Sequence, residues 1–390
     1  MDMSTSTIQH SDVGPKAIIA IPARNEDRRI ERCLAAIALQ RDRFGAPIPE
    51  GDFAVLLLAN NCNDDTAAIA RRFAQRLPYA LSVIEDALPP EAANAGGARR
   101  AVMEQAAARL GEKAGGGVIL TTDADSVVSA TWFADNMRHL RDGAECVAGY
   151  IDAEPLEIVG LGSSFLGRGR LEDMYLRQLA EIDARCDPLP HDPWPNHRVS
   201  SGASLAVKFA AYRAVGGMPA QALGEDSAFT GILDRSGFKV RHPLDVTVVT
   251  SCRLDGRACG GAADTMRHRR DVPDAECDAE IEPALKTLRR AIMRGLLRKA
   301  WQDGRVERAL QRFSHGPGLA LARAPSFSDA WDGLAAQHPA LKRGPPLRPS
   351  DLPRQIAAAR LILRHLRAGG GRTAAPIDRS RRAVVFAPAG

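Results

Sequence analysis

Across its first 140 residues the chain alternates short apolar runs with segments of helical periodicity, and no other feature constrains the fold as strongly. The runs are Ala17 to Ile21, Phe53 to Ala59, Leu81 to Ile84 and Val118 to Leu120. Their unbroken apolar character fits strands buried on both faces. Between them, Ile30, Cys33, Leu34 and Ile37 recur with helical spacing, as do Ile69 and Phe73, and an Ala-rich helix is expected from Asn94 to Leu110. Strand and helix in turn predict βαβ units, hence an α/β fold with a mostly parallel central sheet flanked by helices. The first strand is expected to stop at Pro22, which cannot donate to a ladder, and Asn25 to cap the helix after it.

Open sheets of this kind meet their ligands at the carboxyl ends of the strands, and here those ends are polar. The first leads into Pro22-Ala23-Arg24-Asn25-Glu26, the second into Asn60-Asn61-Cys62-Asn63-Asp64-Asp65-Thr66, and the fourth into Asp123-Ala124-Asp125. Alternate side chains on an extended or turning backbone project the same way, so Asp123 and Asp125 can approach one divalent cation, or one cation and a ribose. By itself the spacing equally fits an Asp-rich turn before a helix. The first strand is not followed by G-x-G-x-x-G and the chain has no P-loop, so dinucleotide-binding and ATPase readings lose their usual phosphate cradle.

Further on, the Pro-rich stretch from Ile182 to Ser200 reads as a long loop over the site, with Trp194 able to stack on a sugar or base, or as a surface connection whose Trp plugs the core. Gly202 to Val207 reads as a strand whose small first residues would let a ligand approach the backbone. Glu225-Asp226 opens a helix with Phe229, Ile232 and Leu233 on its apolar face. Acidic residues are favoured there by the helix dipole whether or not they do chemistry. Val246 to Thr250 is a further strand, and beyond it Arg253 and Arg257 could clamp a phosphate or pair with carboxylates. His268, in T-M-R-H-R-R, reads as a surface residue.

Charge divides the chain. Up to Leu285 there are 31 Lys and Arg against 41 Asp and Glu; from Lys286 onward there are 21 against 6. The second part carries two apolar stripes, Leu288, Ala291, Ile292, Leu296 and Ala300, then Leu352, Ile356, Ala359, Leu363 and Leu366. These are expected to pack on the acidic body, with peripheral contact to an anionic membrane as the alternative. Seven cysteines, odd in number and without a C-x-x-C pair, predict reduced thiols. With a polar amino terminus and no apolar run long enough to span a bilayer, a cytoplasmic protein is expected, without nucleic acid as a partner. The organisation read from these shifts is a flexible terminus (1–15), one α/β domain in two halves (16–150 and 151–285), a basic helical extension (286–368) and a loosely ordered tail (369–390).

Taken together and in order, I-P-A-R-N-E at Ile21 to Glu26, N-N-C-N-D-D-T at Asn60 to Thr66, the Asn94 to Arg100 segment, D-A-D at Asp123 to Asp125, S-G-A-S-L-A-V from Ser201 and G-E-D at Gly224 to Asp226 resemble the family 2 glycosyltransferases of the GT-A fold. The resemblance covers about Ala17 to Ser251. It implies an inverting transfer from a nucleotide-sugar donor to a hydroxyl acceptor. By it, Pro22, Ala23, Arg24 and Glu26 line the base and ribose site, Asn60 or Asn61 faces the base edge, and Arg99 or Arg100 approaches the diphosphate. Asp123 and Ala124 join the donor site, Asp123 contacting ribose or metal, and Asp125 holds Mg²⁺ or Mn²⁺. Asp226 is the implied base, with Glu225 orienting it or bonding the acceptor. The family more often has Asp where this chain has the Asn pair, which leaves the nucleotide open. A sugar-phosphate nucleotidyltransferase, or a non-catalytic binder of nucleotide sugars, is the competing reading.

Overall fold

The computed structural model describes residues 15–111, 116–256, 260–313, 321–342 and 344–369. The expected flexible terminus and loosely ordered tail lie outside these, but for residues 15 and 369, and so does Arg257. The strands are β1 Ala17–Ala23, β2 Phe53–Asn60, β3 Ala80–Asp86, β4 Val118–Thr121, β5 Val127–Val128, β6 Cys146–Ala148, β7 Tyr150–Ala153, β8 Leu205–Lys208, β9 Val240–Arg241 and β10 Thr247–Thr250. Among the described residues seven of them form one sheet in the order β3-β2-β1-β4-β8-β6-β9, and a second sheet runs β5-β10-β7. β3, β2, β1 and β4 are mutually parallel, whereas β8 runs antiparallel to both β4 and β6. The reversal brings the start of β8 to the same edge as the end of β4.

Alternation along each strand sends side chains to two apolar layers. Ile19, Ile21, Val55, Leu57 and Leu120 face one layer with α1 (Ile30–Ala38), α2 (Thr66–Ala74) and, beyond α3 (Ala95–Gly111), with α4 (Trp132–Arg141). Ile18, Ala20, Leu56, Leu58 and Ile119 face the other, against α3 and two later helices. Burying each such Ile or Leu contributes about 1.5–3 kcal/mol, so the central strands anchor the fold. Before those later helices come α5 (Pro155–Val159) and α6 (Ser163–Cys186); the two that pack here are α7 (Phe209–Ala214) and α8 (Glu225–Arg235).

Two local expectations are corrected. β1 continues through Pro22, which pairs in register with Leu58; β4 has already ended with Thr121 opposite Ala20, so on that side no ladder partner is lost. Asn25 does not cap α1. It sits at φ 55°, its Oδ1 accepts the Asn63 N–H at 2.9 Å, and the helix begins five residues later, after Arg29.

The remaining helices include α9 (Ala262–Asp271), α10 (Ala284–Gln302), α11 (Val306–Phe313), Phe327–Gln337 and Leu352–Gly369. Leu352, Ile356, Ala359 and Leu363 pack on Tyr175, Leu179 and Ile182 of α6, as the second stripe predicts. Opposite charge adds to the docking: Arg294 and Arg298 of α10 bond the buried Asp187 at 2.6 and 2.7 Å, and Arg367 pairs with Glu181. The first stripe is split. Ala291 is buried, but Ile292 and Leu296 are 41% and 52% exposed. α10 is held on two faces, by α6 through Ala284 and by Leu310, Trp331 and Leu334 through Met293 and Leu297, and the positions between them point outward. No described helix is long and apolar enough to cross a membrane.

Candidate active site

Elements from distant parts of the chain converge on a cavity of about 270 Å³ at the carboxyl edge of the sheet. Pro22, Ala23, Arg24 and Glu26 come from the end of β1, Asn60 from the end of β2, and Asp123, Ala124 and Asp125 from the turn after β4. The opposite wall is Ser201 to Ala203 at the start of β8, with Glu225 and Asp226 at the head of α8. Of the residues that the resemblance assigns to donor, metal or base, all line the cavity except Asn61 and Arg100. Asn61 adopts φ 49°, and its amide donates to the Leu88 carbonyl at 3.1 Å instead.

The loop carrying Asn61 has a different task. Thr66 Oγ1 accepts the Glu26 N–H at 2.7 Å and donates to Asp64 at 2.6 Å, while the other Asp64 oxygen accepts the Asp27 N–H. One strand-end loop thus braces the other, holding Glu26 with 5% of its surface exposed.

Arg99 is the hub. Its Nε donates to Glu225 at 2.9 Å, Nη1 to the Gly202 carbonyl at 2.8 Å and to Thr121 Oγ1 at 3.1 Å, and Nη2 to Asp123 at 2.7 Å. Burial by itself would lower its pKa, but Asp123 and Glu225 outweigh this and hold it above the ordinary arginine value. The residue expected at a diphosphate is thus committed to carboxylates on both walls and acts as a strut between them. Its neighbour Arg100 is exposed and does not line the cavity. Arg99 also explains Gly202, where a Cβ would lie 2.2 Å from the guanidinium. The small residue makes room for a side chain of this protein, where the sequence suggested room for a ligand.

A second arginine faces the carboxylates after β4. Arg253, arriving at the end of β10, pairs bidentately with Glu26 and lies 3.3 Å from Asp125 Oδ2. Burial pushes the Asp125 carboxyl well above its usual range, as does Asp123, and Arg253 opposes this only in part. Across the cavity both Asp226 oxygens accept backbone hydrogens, from Gly202 at 2.9 Å and Ser227 at 2.7 Å. Its pKa is nevertheless raised, by burial first and then by the adjoining Glu225.

Among the described residues no three His, Cys, Asp or Glu side chains converge to hold a metal. Asp123 and Asp125 are hard oxygen donors at a cavity, with one Asp123 oxygen engaged by Arg99. The chemistry of such a pair suits a hard divalent cation such as Mg²⁺ or Mn²⁺.

The Pro-rich loop does not cover this cavity. Asp192 accepts from Arg241 Nη1 at 2.5 Å and from the His242 N–H at 2.9 Å, which ties the loop to β9, and Trp194 is half-buried away from the lining. The first turn of α9, Gly261 to Ala263, lines the cavity together with Met266, and the sequence analysis singled out none of these residues. His268 on the same helix is exposed.

Residues 18–177 match the family described as Glycosyl transferase family 2. No curated protein matches the chain. Among solved structures, the mannosyltransferase PcManGT from Pyrobaculum calidifontis in complex with GDP-Man and Mn²⁺ is 17% identical, with 92% of this chain and 84% of that one covered and a TM-score of 0.43. S. aureus TarS 1-349 in complex with UDP-GlcNAc is 14% identical, with 95% and 99% covered and a TM-score of 0.44. The donors and the ion named there are those proteins' own.

Proposed function

We propose, from the match of residues 18–177 to glycosyl transferase family 2, that the cavity takes a nucleoside diphosphate sugar and passes the sugar to a hydroxyl acceptor with inversion. The observation that carries this reading is the position of Asp226 on one wall of the cavity whose other wall holds Asp123 and Asp125.

In the proposed chemistry, Pro22, Ala23, Arg24 and Glu26 receive base and ribose. The buried Asn60 amide, with both a donor and an acceptor, meets a base edge. Asp123 and Asp125 would hold Mg²⁺ or Mn²⁺, which when bound supplies Lewis-acid stabilisation of charge on the leaving diphosphate. Arg99 keeps Asp123 and Glu225 at a fixed separation, and Arg253 offers a cation to the diphosphate from the β10 side. The acceptor hydroxyl gives its proton to Asp226 as its oxygen bonds to the anomeric carbon. The bond from that carbon to the phosphate oxygen breaks on the opposite face, and the electron pair leaves with the nucleoside diphosphate. Burial and Glu225, by raising the Asp226 pKa, make it a stronger base than an ordinary aspartate.

The test is turnover of a panel of nucleotide sugars with Mn²⁺ present and absent. Sugar transfer or donor hydrolysis is expected with one of them. Tight binding without turnover would favour a non-catalytic binder. Release of pyrophosphate from a nucleoside triphosphate and a sugar phosphate would mark a nucleotidyltransferase, and failure to bind any donor would overturn the proposal.

A further inference from the structure

α10 holds six cations, Lys286, Arg289, Arg290, Arg294, Arg298 and Lys299, and not one acidic residue. Its cations divide by face. Arg290, Arg294 and Arg298 turn toward the body and meet Glu282 and Asp187. Arg289 and Lys299 are exposed and, among the described residues, have no carboxylate partner. On the same outward arc lie Leu285, Ile292 and Leu296, exposed to 69%, 41% and 52%. Residues 285, 289, 292, 296 and 299 follow the three- and four-residue spacing that places side chains on one side of a helix. The outward face is thus a row of three large aliphatics flanked by unpaired cations, on a helix whose other faces are already occupied.

We infer that this face of α10 rests on an anionic lipid surface. A row of Leu and Ile has a reason to leave water only where an apolar phase is offered, and the boundary between headgroups and acyl chains offers one at the depth a helix lying flat can reach. Arg289 and Lys299 have stems long enough to stay among lipid phosphates while their neighbours go deeper. Charge decides between this occupant and others. A second copy docked by the same face would set these cations against their own kind, and the segment beyond residue 369 carries Arg372, Arg379, Arg381 and Arg382 against only Asp378, so it does not complement them either. An anionic bilayer complements both the apolar row and the cations, each cation near such a surface strengthening binding about fivefold.

The experiment uses the full chain and vesicles of phosphatidylcholine, alone or with about one third phosphatidylglycerol. The protein is expected to co-sediment with the phosphatidylglycerol vesicles at low salt, at least about tenfold more than with phosphatidylcholine alone, and to be released at high salt. Ile292→Ser with Leu296→Ser, and separately Arg289→Gln with Lys299→Gln, are each expected to cut retention at least about tenfold. All four side chains are exposed, so thermal unfolding and nucleotide-sugar binding in solution should match the wild type, and that binding is also the readout on which the proposed transferase activity stands or falls independently. Equal retention on both vesicles, no retention, or retention unchanged in both double variants would overturn the inference. So would a lipid-free dimer abolished by the Ile292 and Leu296 substitutions, since that would assign the face to a second copy.

Discussion

Replacing Arg99 with Met tests whether one guanidinium holds the two walls of the cavity together. Met fills much of the same volume but returns none of the four hydrogen bonds to Glu225, Asp123, Thr121 and Gly202. The Glu225 side chain is 6% exposed and has Arg99 as its ion-pair partner, so the substitution leaves a buried carboxylate without its counter-charge. Removing one member of a buried pair costs about 3–5 kcal/mol. The pair to Asp123, whose side chain is 32% exposed, adds less because water screens it, on the order of 1 kcal/mol. Part of the total returns through the apolar burial of Met, which leaves an expected loss of about 3–4 kcal/mol. Urea unfolding of wild type, Arg99→Met, Glu225→Gln and the double variant measures it. Most of the cost comes from the stranded carboxylate, so neutralising Glu225 should recover about 1–3 kcal/mol of the Arg99→Met loss. A loss under about 1 kcal/mol, or a double variant no more stable than Arg99→Met, would refute the strut.

Other consequences are open to measurement. Asp226→Asn should bind donor as the wild type does yet lose transfer by about two orders of magnitude or more, because an amide cannot take the acceptor's proton; near-normal turnover would remove Asp226 from the chemistry. The Asp125 carboxyl is pushed up to about 7, and a metal ion needs it ionised, so Mn²⁺-supported donor binding measured by calorimetry should weaken about tenfold per pH unit below about 7 and level off above it. The same folded-state pKa, raised above the unfolded one, means that ionised Asp125 costs stability: in metal-free protein Asp125→Asn should gain on the wild type as pH rises toward about 7, and a pH-independent difference would contradict this. At Gly96 a Cβ would lie 1.9 Å from the Gln221 carbonyl oxygen, so Gly96→Ala should lower stability by about 1–3 kcal/mol in thermal unfolding, while an unchanged melting temperature would show that the segment before α8 yields freely.

The strands and the edge at which the cavity lies were legible because they are local statements: an apolar run such as Phe53 to Ala59 is a buried strand wherever it sits, and its polar end marks the ligand side. The carboxylates Asp123, Asp125 and Asp226 were legible as well, since a strand end and a helix start fix where they project. What escaped was partnership. Nothing in the sequence near Arg99 says that its counter-charges are 24 and 126 residues away, so a cation beside an expected diphosphate was read as a ligand contact. Asn61 escaped through its backbone: a positive φ accompanies a side chain bonded to the Leu88 carbonyl, while its neighbour Asn60 lines the cavity. The outward face of α10 was hidden because periodicity says which residues share a side of a helix, and packing alone says how many sides are covered.

β8 enters the sheet backwards between β4 and β6, and this has a bearing on how the protein comes into being. The cavity draws on residues from Pro22 to Met266, and the start of β8 reaches its edge only after some two hundred residues have left the ribosome. A nascent chain can complete β1 to β4, with the twin aspartates in place, long before Asp226 exists to face them. The cavity therefore gains its second wall, and with it the base of the proposed transfer, only in a chain most of whose residues have been made.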